Sequence, residues 1–241
     1  MSRVYGEHAV ADLLSTAPES IAHLLLSEGR QLSRSLEEAV SRARISVRTV
    51  PAGELRQRSG GRGAAWLAAE VKVASLGGID ALQGSPGESQ VVLALDGVTD
   101  PHNLGAILRS ACAFGVRAVV VPKDGSAPLN DAAVRASAGA VAHVPLVRVT
   151  NLSRALRQLQ DQGFWILGTD AEVGEDLWEA DLSGPLVVVL GAEGSGMRPG
   201  VKKACDRHLH LTLPGRVSSL NVSVTAGIVI GEICRRNTPP S

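Results

Sequence analysis

The order of apolar and polar positions divides the chain near residue 76. Before it, residues 6–14 have helical spacing and 21–26 form a short apolar run, read as a strand. Leu36, Ala39 and Val40 share one face of a helix expected over 35–43. Ile45, Val47 and Thr49 share one face of a strand expected over 45–50. A further strand is expected over 68–74, after the glycine-rich turn at 60–63. Residues 76–90 hold Gly77, Gly78, Gly84, Pro86 and Gly87 among polar residues and read as a linker or surface crossing.

Beyond 90 the alternation strengthens. Residues 91–95 are continuously apolar, as for a strand buried on both faces. A helix over 103–114 stops at Gly115, a natural residue just past a helix end. Further strands are expected at 118–121, 144–149, 164–167, 186–190 and 209–213. Helices are expected at 130–138, 152–159, 199–205 and 221–236. Strands alternating with helices predict a parallel sheet with helices on both faces. The expected architecture is α/β, with a small N-terminal domain over 1–75, a linker over 76–90 and a parallel-sheet domain over 91–241.

Composition narrows the picture. Trp66, Trp165, Trp178, Phe114, Phe164 and Tyr5 are the only aromatic residues, so the core must be aliphatic. A protein that binds single strands mainly by stacking bases on many aromatics is disfavoured on the same ground. The formal net charge is +0, which argues against a chain held on nucleic acid by global charge. Locally, Arg42, Arg44, Arg48, Arg56, Arg58 and Arg62 face one acid, Glu54. That stretch is either a solvated face or a phosphate-contacting surface. Cys112, Cys205 and Cys234 lie far apart with no metal-ligand spacing, so reduced thiols and no metal are expected. No signal-peptide core and no apolar run of ~18–20 residues is present, which points to a cytoplasmic protein that makes no use of a membrane.

Three segments carry polar groups that a core does not need. The run Leu190-Gly191-Ala192-Glu193-Gly194-Ser195-Gly196-Met197 follows an apolar strand. Its glycines permit close approach of a ligand to the backbone, or simply a tight turn. It is neither a dinucleotide fingerprint nor a P-loop, and Glu193 would repel a phosphate while suiting a cationic or hydroxyl-bearing ligand. The second segment runs from Asp96 through Asp100-Pro101-His102-Asn103 to Arg109. Asn103 suits a turn or a helix cap as well as a site. Gly105, Arg109 and Ala113 recur at spacings of four, so something can approach Arg109 closely: a ligand phosphate or a second subunit. The third segment, Ser218-Ser219-Leu220-Asn221-Val222-Ser223, has more polar groups than one helix cap requires.

At these segments the chain resembles the SPOUT superfamily of knotted RNA methyltransferases, in its SpoU/TrmH branch. Asn103 to Arg109, Leu190 to Gly196 and Ser219 to Ser223 match that branch's three ordered motifs. The run 96–106 is most similar to the subgroup that methylates a guanosine 2′-hydroxyl of large-subunit (23S) rRNA, naked or in an assembly particle. The start, 4–10, is similar to that subgroup's ribosomal-protein-like RNA-binding domain. The resemblance implies a deep C-terminal trefoil knot, an exception to the usual avoidance of knots. It also implies a homodimer and S-adenosylmethionine as cofactor, with no metal.

On the matched positions, Gly191, Leu211 and Leu220 correspond to residues whose backbones hold the cofactor, and Glu193, Leu213, Ser219 and Asn221 to residues lining its pocket. Arg109 corresponds to the residue at the 2′-hydroxyl, with Asn103, Ser219 and Asn221 orienting it and Glu193 pairing with it or accepting a proton. A guanidinium keeps its proton below a pH of about 12, so an electrostatic role for Arg109 is favoured over that of a base. Arg56 and Arg58, with Arg109, are expected to contact RNA. Two departures stand out. The proline after the last strand is displaced, in Leu211-Thr212-Leu213-Pro214-Gly215, and the branch's His-Gln-Gly turn is absent near 62–66. A tRNA or resistance-type rRNA target, a catalytically inactive ribosome-assembly factor, and a Rossmann oxidoreductase are the alternatives, the last disfavoured by the missing glycine fingerprint after Leu95.

Overall fold

The computed structural model describes residues 2–58, 65–82, 91–171 and 173–237. The N-terminal part runs β1 (Ser2–Tyr5), α1 (Glu7–Thr16), β2 (Ile21–Ser27), α2 (Arg34–Ala43), β3 (Val47–Val50), α3 (Glu54–Arg58) and β4 (Leu67–Val71). Its sheet has the order β1-β4-β2-β3, with β2 and β3 parallel and β4 antiparallel to β1 and β2. Helices α1 and α2 cover one face, placing Val10, Leu13, Leu36 and Val40 against Val4, Leu24 and Ala69. Helix α3 covers part of the other face through Leu55, packed with Leu25 and Ala68. The expected strand over 68–74 is displaced: its pairing with β1 and β2 begins at Leu67 and ends at Val71.

The C-terminal part runs β5 (Val91–Asp96), α4 (Pro101–Ala113), β6 (Ala118–Pro122), α5 (Asp131–Ala136), β7 (Leu146–Val149), α6 (Leu152–Asp161), β8 (Trp165–Thr169), β9 (Glu175–Asp176), β10 (Leu186–Gly191), α7 (Pro199–Lys202), β11 (Arg207–His210) and α8 (Val222–Asn237). Seven strands pair in the order β7-β6-β5-β10-β8-β11-β9, every pair parallel. The parallel α/β sheet is as expected. Helices α4, α5 and α8 pack on one face with Leu104, Ile107, Ala133 and Ile230. Helices α6 and α7 pack on the other with Leu156, Leu159 and Val201. Phe164 is the one aromatic residue in these two buried clusters, so the core is aliphatic. Each fully buried Leu or Ile contributes roughly 1.5–3 kcal/mol, and the three cysteines remain free thiols.

The stretch expected as a linker is not loose where it is described. Ile79–Leu82 forms a 3-10 turn whose Leu82 is fully buried against the α6 face. The N-terminal sheet also meets the C-terminal part directly, through β1 against α5 and the loop before it. Ser2 Oγ donates to the Leu129 carbonyl at 3.1 Å, and the Tyr5 N–H to Asp131 Oδ2 at 3.3 Å. Val134 of α5 and Val141 are fully buried in the N-terminal core.

The strand order reverses between β5 and β10, and open α/β sheets bind ligands at such a switch point, beyond the strands' carboxyl ends. Among the described residues, no helix is long and apolar enough to cross a membrane and no group of side chains could hold a metal ion.

Candidate active site

β5 ends at Asp96, β8 at Thr169, β10 at Gly191 and β11 at His210. Beyond the ends of β8, β10 and β11 lies a cavity of about 910 Å³. Its walls are the loop 191–197, the segments 209–213 and 217–222, and Thr225 and Val229 of α8.

The loop closes on itself. The Ala192 N–H donates to the Gly196 carbonyl at 3.1 Å and the Gly196 N–H to the Ala192 carbonyl at 2.9 Å. A side chain at Gly191 would put its Cβ 2.4 Å from the Gly196 carbonyl carbon, so this hairpin requires glycine there.

Glu193 lies on this loop and lines the cavity. Its Oε1 accepts from Asn221 Nδ2 at 2.7 Å, the Val222 N–H at 3.1 Å and Asn103 Nδ2 at 3.3 Å. Asn221 Nδ2 also donates to Asn103 Oδ1 at 3.0 Å. One carboxylate oxygen therefore joins the three motifs. It also sits at the start of α8, where the helix dipole favours negative charge.

Asn221 is the cap of α8: its Oδ1 accepts from the Ser223 N–H at 2.9 Å and from Ser223 Oγ at 2.6 Å. Asn103 is not a cap. Asp100 caps α4 by accepting from the His102 N–H at 2.9 Å, Pro101 opens the helix, and Asn103 inside the first turn is free to turn to the site.

The expected strand over 209–213 is shifted. β11 spans Arg207–His210, pairing Arg207 with Leu167 on β8. Leu211 and Leu213 leave the sheet and line the cavity, as do Ser219 and Leu220. Thr212 Oγ1 donates to Asp176 Oδ2, fastening this segment to β9. The Thr212 hydroxyl, then the Trp178 N–H, hold the Asp176 carboxyl below its ordinary value. Lys202 Nζ, 2.5 Å from Asp170 Oδ2, lines the cavity as well.

Arg109 is not brought to this cluster. It is exposed on α4, does not line the cavity and has no hydrogen-bond or ion-pair partner among the described residues, so the expected pairing with Glu193 is absent. Gly105, expected to open the helix to a ligand or subunit, is buried: a Cβ there would lie 2.4 Å from the Ala133 carbonyl oxygen and 2.5 Å from Ala136 Cβ of α5. Arg56 and Arg58 lie on α3, in the N-terminal part. Arg62 falls outside the described residues.

Burial pushes the Cys205 thiol up to about 12, which removes it as a nucleophile. The cavity combines apolar walls at Leu211, Leu213, Leu220 and Val229 with carboxylates at Glu193 and Asp170. That set fits a ligand with a flat apolar part and a positive charge. Sequence reasoning overlooked Asp170, Asp176 and Lys202 because nothing in their local spacing marks them.

The SpoU rRNA Methylase family model matches residues 90–231, and the model for RNA 2'-O ribose methyltransferase substrate binding matches residues 3–72. The chain is 45% identical over 242 residues to the 23S rRNA (guanosine-2'-O-)-methyltransferase RlmB of Pseudomonas aeruginosa, covering 98% of this chain and 97% of that protein. It is 42% identical to the RlmB of Salmonella typhimurium, covering 98% of each. The solved SpoU methyltransferase AviRb from Streptomyces viridochromogenes, in complex with AdoMet, has the same fold with a TM-score of 0.73, covering 97% of this chain and 89% of that one at 23% identity. The chain belongs to the SpoU rRNA Methylase family.

Proposed function

We propose that this protein transfers a methyl group from S-adenosylmethionine to the ribose 2′-oxygen of a guanosine in 23S rRNA. The joining of Asn103, Glu193 and Asn221 by one carboxylate oxygen at the mouth of the cavity carries this reading. The relatives that match nearly the whole chain support it.

The cofactor would lie against Leu211, Leu213 and Leu220, with the Gly191 backbone and Ser219 beside it. It supplies a methyl group on a positively charged sulfur, which is a good leaving group. Glu193 stabilises that charge electrostatically, and Asn103 and Asn221 hold its Oε1. Its Oε2 has no partner among the described residues, and in this reading it accepts the 2′-hydroxyl proton. Arg109, permanently cationic and exposed on α4 outside this cavity, holds the phosphate that neighbours the reacting ribose in this reading. Positioning of the reacting atoms supplies much of the acceleration, up to ~7–11 kcal/mol in well-oriented systems.

In this reading residues 1–75 form a ribosomal-protein-like RNA substrate-binding domain, 76–90 connect, and 91–241 form the methyltransferase domain. Arg56 and Arg58 contact RNA phosphates. The C-terminal domain carries a deep trefoil knot. The end of α8 is fastened by Arg236, which donates to the carbonyls of Leu177, Trp178 and Ala180, and by Asn237, which donates to that of Leu182. The protein acts as a homodimer. Phe114, just past the end of α4, and Val224 on α8, 41% and 48% exposed, support an apolar contact face along these packed helices. The reaction takes place in the cytoplasm, on naked rRNA or an assembly particle.

The test is transfer of labelled methyl from S-adenosylmethionine to 23S rRNA and to ribosomal particles, followed by nuclease digestion. The expected product is 2′-O-methylguanosine from 23S rRNA. Label on tRNA alone would discard the rRNA assignment, and no transfer to any RNA would discard the activity.

A further inference from the structure

Asp96 ends β5 with its side chain fully buried, where the preceding strand residues are all apolar. Among the described residues, its carboxylate is met by three bonds, all from Arg198. Arg198 Nε lies 2.7 Å and Nη2 2.6 Å from Oδ1, and the Arg198 N–H donates to Oδ2 at 2.7 Å. Burying a carboxylate is costly unless it is paired and hydrogen-bonded, and this one has both compensations. An apolar residue would fill the strand end without that cost. The charge therefore serves position rather than packing.

The position in question is the loop 191–197. Gly191, at one end of the loop, is the register partner of Asp96 across β5 and β10. Arg198 is the first residue after the other end and precedes α7. Asp96 thus stands at both ends of the loop. A charge-assisted, forked bond of this kind fixes direction as well as distance. Glu193, between the two anchors, reaches Asn103 and Asn221.

We infer that Asp96 and Arg198 form a positioning pair that clamps the base of the 191–197 loop and so sets Glu193 in the active site. This rests on the proposed role of Glu193 in methyl transfer. Neither residue touches the reacting atoms in this mechanism.

The test uses the full-length protein, S-adenosylmethionine and a 23S rRNA substrate, with rates expressed per cofactor site counted by titration with S-adenosylhomocysteine. Arg198→Ala is expected to lower kcat about ten- to a hundredfold, the cost of a small misplacement at a reacting centre. The KM for RNA should stay within about twofold, because the RNA contacts lie elsewhere. Arg198→Lys should recover part of kcat, since an ammonium can meet Oδ1 but cannot reproduce the fork. Asp96→Ala should match Arg198→Ala, and the double variant should fall no further than either single, as for two halves of one interaction. Unchanged kcat per cofactor site in Arg198→Ala would overturn the inference. A raised RNA KM at unchanged kcat would also overturn it and make the half-exposed Arg198 a phosphate contact. Inactivity of the unaltered protein would instead remove the functional reading on which the inference stands.

Discussion

Glu193 Oε1 and Asn221 Nδ2 meet at 2.7 Å, tying the glycine-rich loop to the cap of the last helix. Glu193→Gln keeps an oxygen for the Asn221 and Val222 donors and removes the charge. The charge at the start of α8 is worth about 0.3–1 kcal/mol, so thermal unfolding should shift little. Cofactor affinity and single-turnover methyl transfer should both fall, the latter by at least about tenfold. Titration calorimetry and labelled-methyl transfer measure the two. Wild-type turnover in this variant would remove Glu193 from the chemistry.

Gly105→Ala tests the helix packing beneath the site. The added Cβ would meet the Ala133 carbonyl oxygen at 2.4 Å and Ala136 Cβ at 2.5 Å, and backbone has little room to yield. Overpacking of this kind costs about 1–3 kcal/mol. A lower denaturation midpoint is expected, together with reduced turnover, because α4 carries Asn103 and Arg109. A variant of unchanged stability would show that α4 and α5 part easily.

Arginine substitutions separate chemistry from binding. Arg109→Ala should leave stability within about 0.5 kcal/mol, as for a surface side chain without partners, while abolishing methyl transfer. Replacing Arg56 and Arg58 by Gln should weaken RNA binding and flatten its salt dependence by about one unit for each phosphate no longer neutralised. Turnover at saturating RNA should persist. Filter binding across a salt series and transfer assays at high RNA concentration distinguish the two outcomes.

Acid should loosen the end of α8. The Arg235 and then the Arg236 guanidinium hold the Glu232 carboxyl down, from an ordinary 4.5 to about 2. A depressed carboxyl stabilises the fold above its unfolded value and loses that contribution as pH falls through the folded one. Stability should therefore decline between pH 4.5 and about 2, and Glu232→Gln should flatten that part of the curve. Thermal unfolding across this range measures it, and an unchanged slope in the variant would contradict it.

Strong alternation made the large sheet legible. Runs such as 91–95 and 186–190 have no stable place except a buried parallel strand. β1 and α3 were not legible, being four and five residues long with a single buried hydrophobic side chain each, Val4 and Leu55. β11 was placed too late because Leu211 and Leu213 look like strand residues but line the cavity, while the polar Arg207, His208 and His210 occupy the strand. The three motifs foretold Asn103, Glu193 and Asn221 as a group. Asp96 and Arg198, 102 positions apart, left no local trace of their pairing.

The burial of Val134 and Val141 in the N-terminal core bears on engineering. A recognition module grafted from another enzyme would have to cover both valines and meet the Leu129 carbonyl and Asp131 with donors of its own. Retargeting by simple exchange at residue 76 would leave an oily scar on the catalytic body. A chimera that carries the 129–143 segment along with its native module keeps that seam closed.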